Sequence, residues 1–265
     1  MALERIIPGT TAWRKWGHQH LQRYLFTERF VLGKRVLDLA CGAGYGSYVL
    51  RTLGAGSVVG VDLDGTAIDY ARENYKRGEL HYEQGNALLW EGNSRFDVVV
   101  SFETIEHLAD PKRFINRLAS HLEPNGILII SAPNTLQYLK ANPPIQNEHH
   151  LNEPDHAKFR SWLENEFIVD SEWEQSPVVA ASYQHICNNI SFSDLLRQGW
   201  VRTANKLERA LRHIVGKTLL PIQRPEPNIN TVESFTDIMP LLPERTAVCD
   251  VFVFVCRRRQ RGVGL

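Results

Sequence analysis

The stretch "SFETIEHLAD", Ser101 to Asp110, sets two carboxylates and an imidazole, Glu103, Glu106 and His107, directly behind an apolar run. That combination has three chemical uses: ligation of a metal ion, general-base work by the histidine with carboxylate helpers, or the polar end of an ordinary strand. A second group lies upstream. "VLDLACGAGYGS" offers Asp38, Gly42, Gly44 and Gly46 at a strand-to-helix junction, where small residues admit a ligand to the backbone and to a helix N-terminus. A dinucleotide fingerprint would need glycine at 47, and Ser47 stands there. "VVGVDLD" puts Asp62 twenty residues after Gly42, where it can accept from both ribose hydroxyls, and "EQGNALLW" puts Asn86 where an amide can read an adenine edge.

These residues need strand ends to hold them. From about residue 35 the chain alternates β-branched runs with helical segments, the pattern of parallel strands joined by crossover helices. Strands are expected at 35–40, 57–63, 80–86, 96–102 and 126–132, with helices near 45–54, 65–77 and 111–122. Asp110 can cap the last of these helices, and Pro111 suits its first position. The candidate ligand residues then fall at successive strand ends, on the carboxyl edge where open α/β sheets bind their ligands. Beyond 133, "APNTLQYLKANPPIQNEHHLNEPD" is a long loop with four prolines, of the kind that is more often functional than idle. A helix near 155–165, a strand near 167–175 and a last strand at 247–258 follow, which leaves 176–246 as an insertion. Inside it, residues 202–217 place Leu207, Ala210, Leu211 and Ile214 at helical spacing among basic residues. This basic amphipathic helix either packs on the domain, the plainer reading, or touches a phosphate-bearing or peripherally membrane-held acceptor.

The bulk composition fits one catalytic domain with room for an insertion: 265 residues, 43% hydrophobic and 23% charged. Thirty basic and thirty acidic residues cancel, so nothing global points to nucleic acid. The N-terminus lacks the cationic start and apolar core of a signal peptide, and no apolar run approaches a membrane span, so a cytoplasmic location is expected. Cys41, Cys187, Cys249 and Cys256 form no CxxC pair, and on one strand Cys249 and Cys256 point to opposite faces; free thiols are expected. The oligomeric state is not legible.

Taken in order, "VLDLACGAGYGS", "VVGVDLD", "GNALLW", "FDVVVSFETIEHLADP" and "LEPNGILIISAPN" resemble the successive motifs of class I S-adenosylmethionine-dependent methyltransferases, over roughly residues 20–175. The resemblance implies an α/β, Rossmann-like fold: a seven-stranded, mostly parallel sheet with an antiparallel last strand, helices on both faces and an α-rich insertion before the last strand. It implies N-terminal lid helices over 1–34 and a methyltransferase domain over 35–265, with 176–246 as the acceptor-binding region. S-adenosylmethionine would meet Gly42 and Gly44 along its methionine part, Asp38 at its amino group and Asp62 at its ribose. Asn86 and Ala87 would flank the adenine, although the family often has Asp at the position of Asn86. Ser101 completes the expected cofactor set, and His20, Arg23 and Tyr24 are candidates for the inner face of the lid.

At the opening stretch, E-x-x-E-H resembles two metal-using branches of this superfamily, the small-RNA 2′-O-methyltransferases and the ubiquinone-biosynthesis O-methyltransferases. In the RNA branch a downstream histidine completes the site. Of His149, His150 and His156, His150 aligns best, which gives a metal set of Glu103, Glu106, His107 and His150 for Mg²⁺ or Mn²⁺. Without a metal, His107 acts as base with Glu103 beside it, or the group is structural. The wider texture, "ERIIPGT", "RYLF", "FETIEHL" and "SAPN", resembles bacterial methyltransferases of cell-surface glycan biosynthesis. It implies transfer to a hydroxyl oxygen of a saccharide or glycosylated small molecule. The alternatives are metal-dependent RNA 2′-O-methylation, opposed by the neutral charge, and a cofactor-binding protein without catalysis.

Overall fold

The structure, a computed structural model, describes residues 6–8, 10–92, 94–140, 149–175, 238–243, 246 and 250–260. A π-turn at Trp13–Gly17 leads into α1 (His18–Phe26) and α2 (Glu28–Val31). Strands and helices then alternate: β1 (Arg35–Leu39), α3 (Tyr45–Thr52), β2 (Ser57–Asp62), α4 (Gly65–Asn74), β3 (Leu80–Gln84), β4 (Phe96–Phe102). A 3₁₀ turn (Ile105–His107) precedes α5 (Pro111–His121), β5 (Leu122–Pro133), α6 (Thr135–Lys140), α7 (His156–Leu163), β6 (Phe167–Gln175), β7 (Ile238–Pro240) and β8 (Val251–Arg258).

The helices start where short polar side chains can meet their first free N–H groups. Asp64 caps α4 by accepting from Thr66 N at 2.7 Å, Asp110 caps α5 from Arg113 N at 2.9 Å, and Asp155 caps α7 from Lys158 N at 2.8 Å. Pro111 occupies the start of α5, as the sequence predicts.

One sheet carries the strands in the order β3-β2-β1-β4-β5-β8-β6-β7. β1 to β5 run parallel, and β8 lies antiparallel between β5 and β6. Alternation along β4 divides the core: Val98 and Val100 face the side covered by α1, α3 and α4, while Val99 faces Phe114, Leu118, Phe159 and Leu163 of α5 and α7. Helices on both faces therefore bury nearly continuous apolar strands, as the parallel pattern requires.

Eight strands are present among the described residues, where seven were expected. The extra one is β7, paired antiparallel to the outer edge of β6 from Trp173↔Pro240 to Gln175↔Ile238. Three residues ending in proline have no readable period, and proline is tolerated there because the strand is at an edge. The expected insertion thus returns to the sheet before 246. Its basic helix at 202–217, Cys187, Cys249 and the start of the last strand at 247–249 lie outside the described residues. Cys41 and Cys256 are free and buried. No helix among the described residues is long and apolar enough to cross a membrane.

Candidate functional site

The carboxyl ends of the parallel strands β1, β2 and β4 lie along one edge of the sheet. The first wall there is the loop between β1 and α3. Gly42 and Gly44 take φ of +55° and +82°, which L side chains rarely adopt, and Gly44 is the N-cap residue immediately before α3. A Cβ on Gly44 would stand 2.4 Å from the Ala71 Cβ and 2.8 Å from the Tyr82 ring, whereas beside Gly42 nothing lies within 4 Å. Gly44 is thus fixed by packing, and Gly42 borders open space.

Asp62, at the tip of β2, receives hydrogen bonds from Gly42 N at 2.8 Å and Asp64 N at 3.0 Å. The acidic side chain expected near a ribose therefore braces the glycine loop. Asp38 is wholly buried, and its carboxylate accepts from Ser47 Oγ at 2.7 Å and Tyr24 Oη at 3.3 Å. Burial pushes its pKa up to about 7, the neighbouring Asp62 charge adds to the rise, and the two hydroxyl donors oppose it. Ser47, whose presence breaks the dinucleotide fingerprint, is a partner of Asp38. The motif showed that position without showing this role.

The expected lid residues lie on α1. Tyr24 is buried against Gly46, so closely that a Cβ there would meet its ring at 2.0 Å, and it packs edge-on to Tyr45 and Phe102. Arg23 is 1% exposed, donates from Nη1 to Gln175 Oε1 at 2.5 Å, and has no partner at Nε. His20 is half-buried. The remaining expected cofactor residues are more scattered. Asn86 is exposed past the end of β3, where its Oδ1 accepts from Leu88 N at 2.9 Å, and Ala87 is half-buried in the same turn. Ser101 is wholly buried, and its hydroxyl donates to the Leu39 carbonyl at 2.9 Å, joining β4 to β1.

The second wall is the turn after β4. Glu103 has φ +50°, a conformation that costs a side-chain-bearing residue and marks a constrained strand exit. Its Oε1 accepts from Ser131 Oγ of β5 at 2.7 Å, and its N–H points back at the same hydroxyl. Glu106 is 1% exposed, and its Oε2 has no hydrogen-bond partner. Burial raises its pKa well above the ordinary carboxylate value, and the Glu103 charge adds to that, while Arg23 pulls the other way. The Nε2 of His107 stands 3.8 Å from Glu106 Oε1, and its Nδ1 donates to the His149 carbonyl at 3.0 Å.

His150 meets His107 edge-on, with ring centroids 4.8 Å apart. Glu106, His107 and His150 each present a ligand atom within 4.8 Å of the others. Three of the four expected metal ligands are thus brought together. Glu103 lies outside this group and faces Ser131 instead. His156, the other downstream candidate, is elsewhere, 2.7 Å from Glu172 Oε2 and stacked on Phe254. Sequence reasoning missed Ser131 and Glu153: Ser131 lies 28 positions from Glu103, which it touches, and Glu153, three residues after His150, belongs to no motif.

An open α/β sheet of this order, with a glycine loop, an acidic β2 tip and a polar turn after β4 on its carboxyl edge, has the layout in which such sheets take their ligands. Residues 31–190 match the family described as Methyltransferase domain, and the chain belongs to that family, within the class I S-adenosylmethionine-dependent methyltransferase superfamily.

A Mycolicibacterium smegmatis protein named a probable S-adenosylmethionine-dependent methyltransferase is 32% identical over 162 residues, 61% of this chain and 62% of that protein. A ubiquinone biosynthesis O-methyltransferase of Coxiella burnetii is 34% identical over 115 residues, 42% of this chain and 49% of that protein. The chain thus spans less than two thirds of the length of these relatives. Among solved structures, an S-adenosylmethionine dependent methyltransferase from Mesorhizobium loti superposes with a TM-score of 0.54 at 15% identity, covering 92% of this chain and 98% of that one. The N-methyltransferase NodS of Bradyrhizobium japonicum, solved with S-adenosyl-L-homocysteine, gives 0.53 at 12%, covering 93% and 87%. At such identities these two show the fold alone.

The residues present fit the family's cofactor: open space at Gly42, a buried carboxylate at Asp38 and an acidic β2 tip at Asp62.

Proposed function

We propose that this protein transfers a methyl group from S-adenosylmethionine to a hydroxyl oxygen, on a saccharide or glycosylated small molecule. One observation carries the reading: a buried, proton-seeking carboxylate, Glu106, faces the Nε2 of His107 on the same sheet edge as the residues assigned to the cofactor. A sulfonium supplies an activated methyl group for in-line displacement, so the protein must chiefly orient the acceptor and remove its proton. The His149 carbonyl can only accept, so Nδ1 of His107 carries the ring proton and Nε2 is the basic nitrogen. As His107 takes the acceptor proton, Glu106 stabilises the imidazolium. His107 is 37% exposed, so an acceptor can reach it. The name of the ubiquinone-pathway relative supports oxygen as the atom methylated. The glycan assignment rests on the sequence texture and on 176–246 serving as an acceptor platform.

The test is incubation with methyl-labelled cofactor and fractionated cell extract. Label should enter glycans or glycosylated small molecules as an alkali-stable ether, and His107→Ala should lower incorporation about 10²–10⁴-fold. Label in an amine, or in RNA, would overturn the acceptor assignment.

The convergence of three ligand atoms within 4.8 Å favours a second, cation-assisted form of the same chemistry. Glu106, His107 and His150 would hold Mg²⁺ or Mn²⁺, which when bound lowers the pKa of an adjacent hydroxyl. RNA 2′-O-methylation is the alternative acceptor class for this form; it predicts labelling of a short RNA 3′ end that disappears with a 2′-deoxy terminus.

A further inference from the structure

Residues 149–155 are docked on the 3₁₀ turn by main chain as well as by side chains. Leu151 N and Asn152 N both donate to the Glu106 carbonyl, at 2.8 and 2.9 Å, and Asn152 Nδ2 donates to the Leu108 carbonyl at 2.7 Å. The loop therefore delivers His150 to Glu106 at a fixed height. What fixes the ring's rotation is a different residue, Glu153. Its Oε1 lies 2.5 Å from His150 Nδ1, and its Oε2 accepts from Thr135 Oγ1 at 3.2 Å. Thr135 N in turn donates to the Pro154 carbonyl at 3.2 Å, closing the corner. The carboxylate is thus gripped at both oxygens, and the His150 side chain it holds is 8% exposed.

We infer that Glu153 is the positioning residue of a divalent-cation site formed by Glu106, His107 and His150, holding His150 in the tautomer whose Nε2 can ligate. The inference rests on the cation-assisted form of the function proposed above. Metal-binding histidines almost always donate their other ring N–H to a carboxylate or a backbone carbonyl, which sets the tautomer and makes the ligand more basic. Both forms of that arrangement occur here on adjacent rings, the His149 carbonyl on His107 and the Glu153 carboxylate on His150. An independent observation points to a missing positive partner: Glu106 is 1% exposed with one oxygen unpartnered. A buried anion left in that state is costly, and a cation between it and the two imidazoles would relieve it. Two imidazole nitrogens and one carboxylate oxygen suit a borderline ion such as Mn²⁺, Co²⁺ or Zn²⁺ better than Mg²⁺.

The experiment is titration of tag-free, metal-stripped full-length protein with Co²⁺, read by visible absorption and by calorimetry. Wild type should take one Co²⁺ per chain, and His150→Ala should lose it. Glu153→Ala should weaken Co²⁺ about 10–100-fold with its thermal unfolding near wild type. Glu153→Gln should recover most of that loss, because the amide oxygen still accepts from Nδ1–H. Equal Co²⁺ affinity in wild type and Glu153→Ala would overturn the positioning role while leaving the cation reading intact. No Co²⁺ uptake by wild type would overturn both, and the metal-free His107 reading would stand. Should Glu153→Ala fail to fold, Thr135→Val serves: a several-fold weaker Co²⁺ site supports the inference, and an unchanged one overturns it.

Discussion

At the glycine loop the carboxyl edge of the sheet is held by backbone: two positive-φ glycines, a Gly42 N–H bonded to Asp62, and helix α3 capped at Gly44. At the turn after β4 it is held by parts of the chain far away in sequence: the Ser131 hydroxyl on Glu103, the His149 carbonyl on His107, and the Leu151 and Asn152 N–H groups on the Glu106 carbonyl. The first wall is the one the proposal assigns to the cofactor, and close backbone approach suffices there. The second is the one the proposal assigns to the acceptor, and its chemistry depends on side chains brought in by a distant loop. The cofactor wall should therefore fail through its backbone, and the acceptor wall through single side chains that leave cofactor binding intact.

The largest effect is expected at Gly44. A left-handed conformation costs a side-chain-bearing residue about 1–2 kcal/mol, and overpacking against Ala71 and Tyr82 about 1–3 kcal/mol more. Gly44→Val should lower the thermal midpoint markedly and abolish calorimetric binding of the cofactor. His107→Ala, on the other wall, should leave cofactor affinity within about twofold of wild type, the size expected where no direct contact is lost.

Next in size is Asp62→Ala. Hydrogen bonds to a charged group contribute about 1.5–3 kcal/mol, so affinity for S-adenosyl-L-homocysteine should fall about 10–100-fold. Asp62→Asn should lose less, because its amide oxygen can still accept from Gly42 N. Equal losses in the two variants would show that the charge, and not the brace on the loop, is what matters.

A smaller effect is a pH slope. The Asp38 carboxyl, held at about 7 chiefly by burial, is largely protonated below that pH in the ligand-free protein. An ammonium beside it favours the anion, so binding must release a proton at low pH. Affinity for S-adenosylmethionine should rise from about pH 5.5 to about pH 7 and then level off, and Asp38→Asn should remove the slope. Isothermal titration in buffers of different ionisation enthalpy reads both the slope and the proton.

The smallest expected effect separates structure from binding. Ser101 was expected near the cofactor, but its hydroxyl already bonds to the Leu39 carbonyl inside the sheet. Ser101→Ala should cost about 1 kcal/mol of stability by denaturant titration, the usual worth of a buried hydrogen bond, and leave cofactor affinity unchanged.

The contrast between the walls also explains what was legible in the sequence. The strand ends at Asp38, Asp62 and Glu103, the capping by Asp110 and the alternation of strand and helix were readable because each depends on a few consecutive residues. The bond from Ser47 to Asp38 is not legible in the glycine motif that contains both, since nothing local shows that a serine hydroxyl turns inward. The Glu106, His107 and His150 cluster needed a residue some forty positions away, and only the family resemblance supplied it. Glu103 was grouped with them by nearness in sequence, but its positive φ turns it to Ser131. Glu153 was invisible because Glu three residues after a His is ordinary on any surface.

The central claim is that the β1–β2 wall binds S-adenosylmethionine independently of the acceptor wall. The most direct test is calorimetric titration of wild type and Glu106→Gln with S-adenosyl-L-homocysteine. The account predicts one site per chain with micromolar-range affinity, nearly the same in both proteins, while methyl transfer is lost only in the variant. Absence of binding to wild type would contradict it.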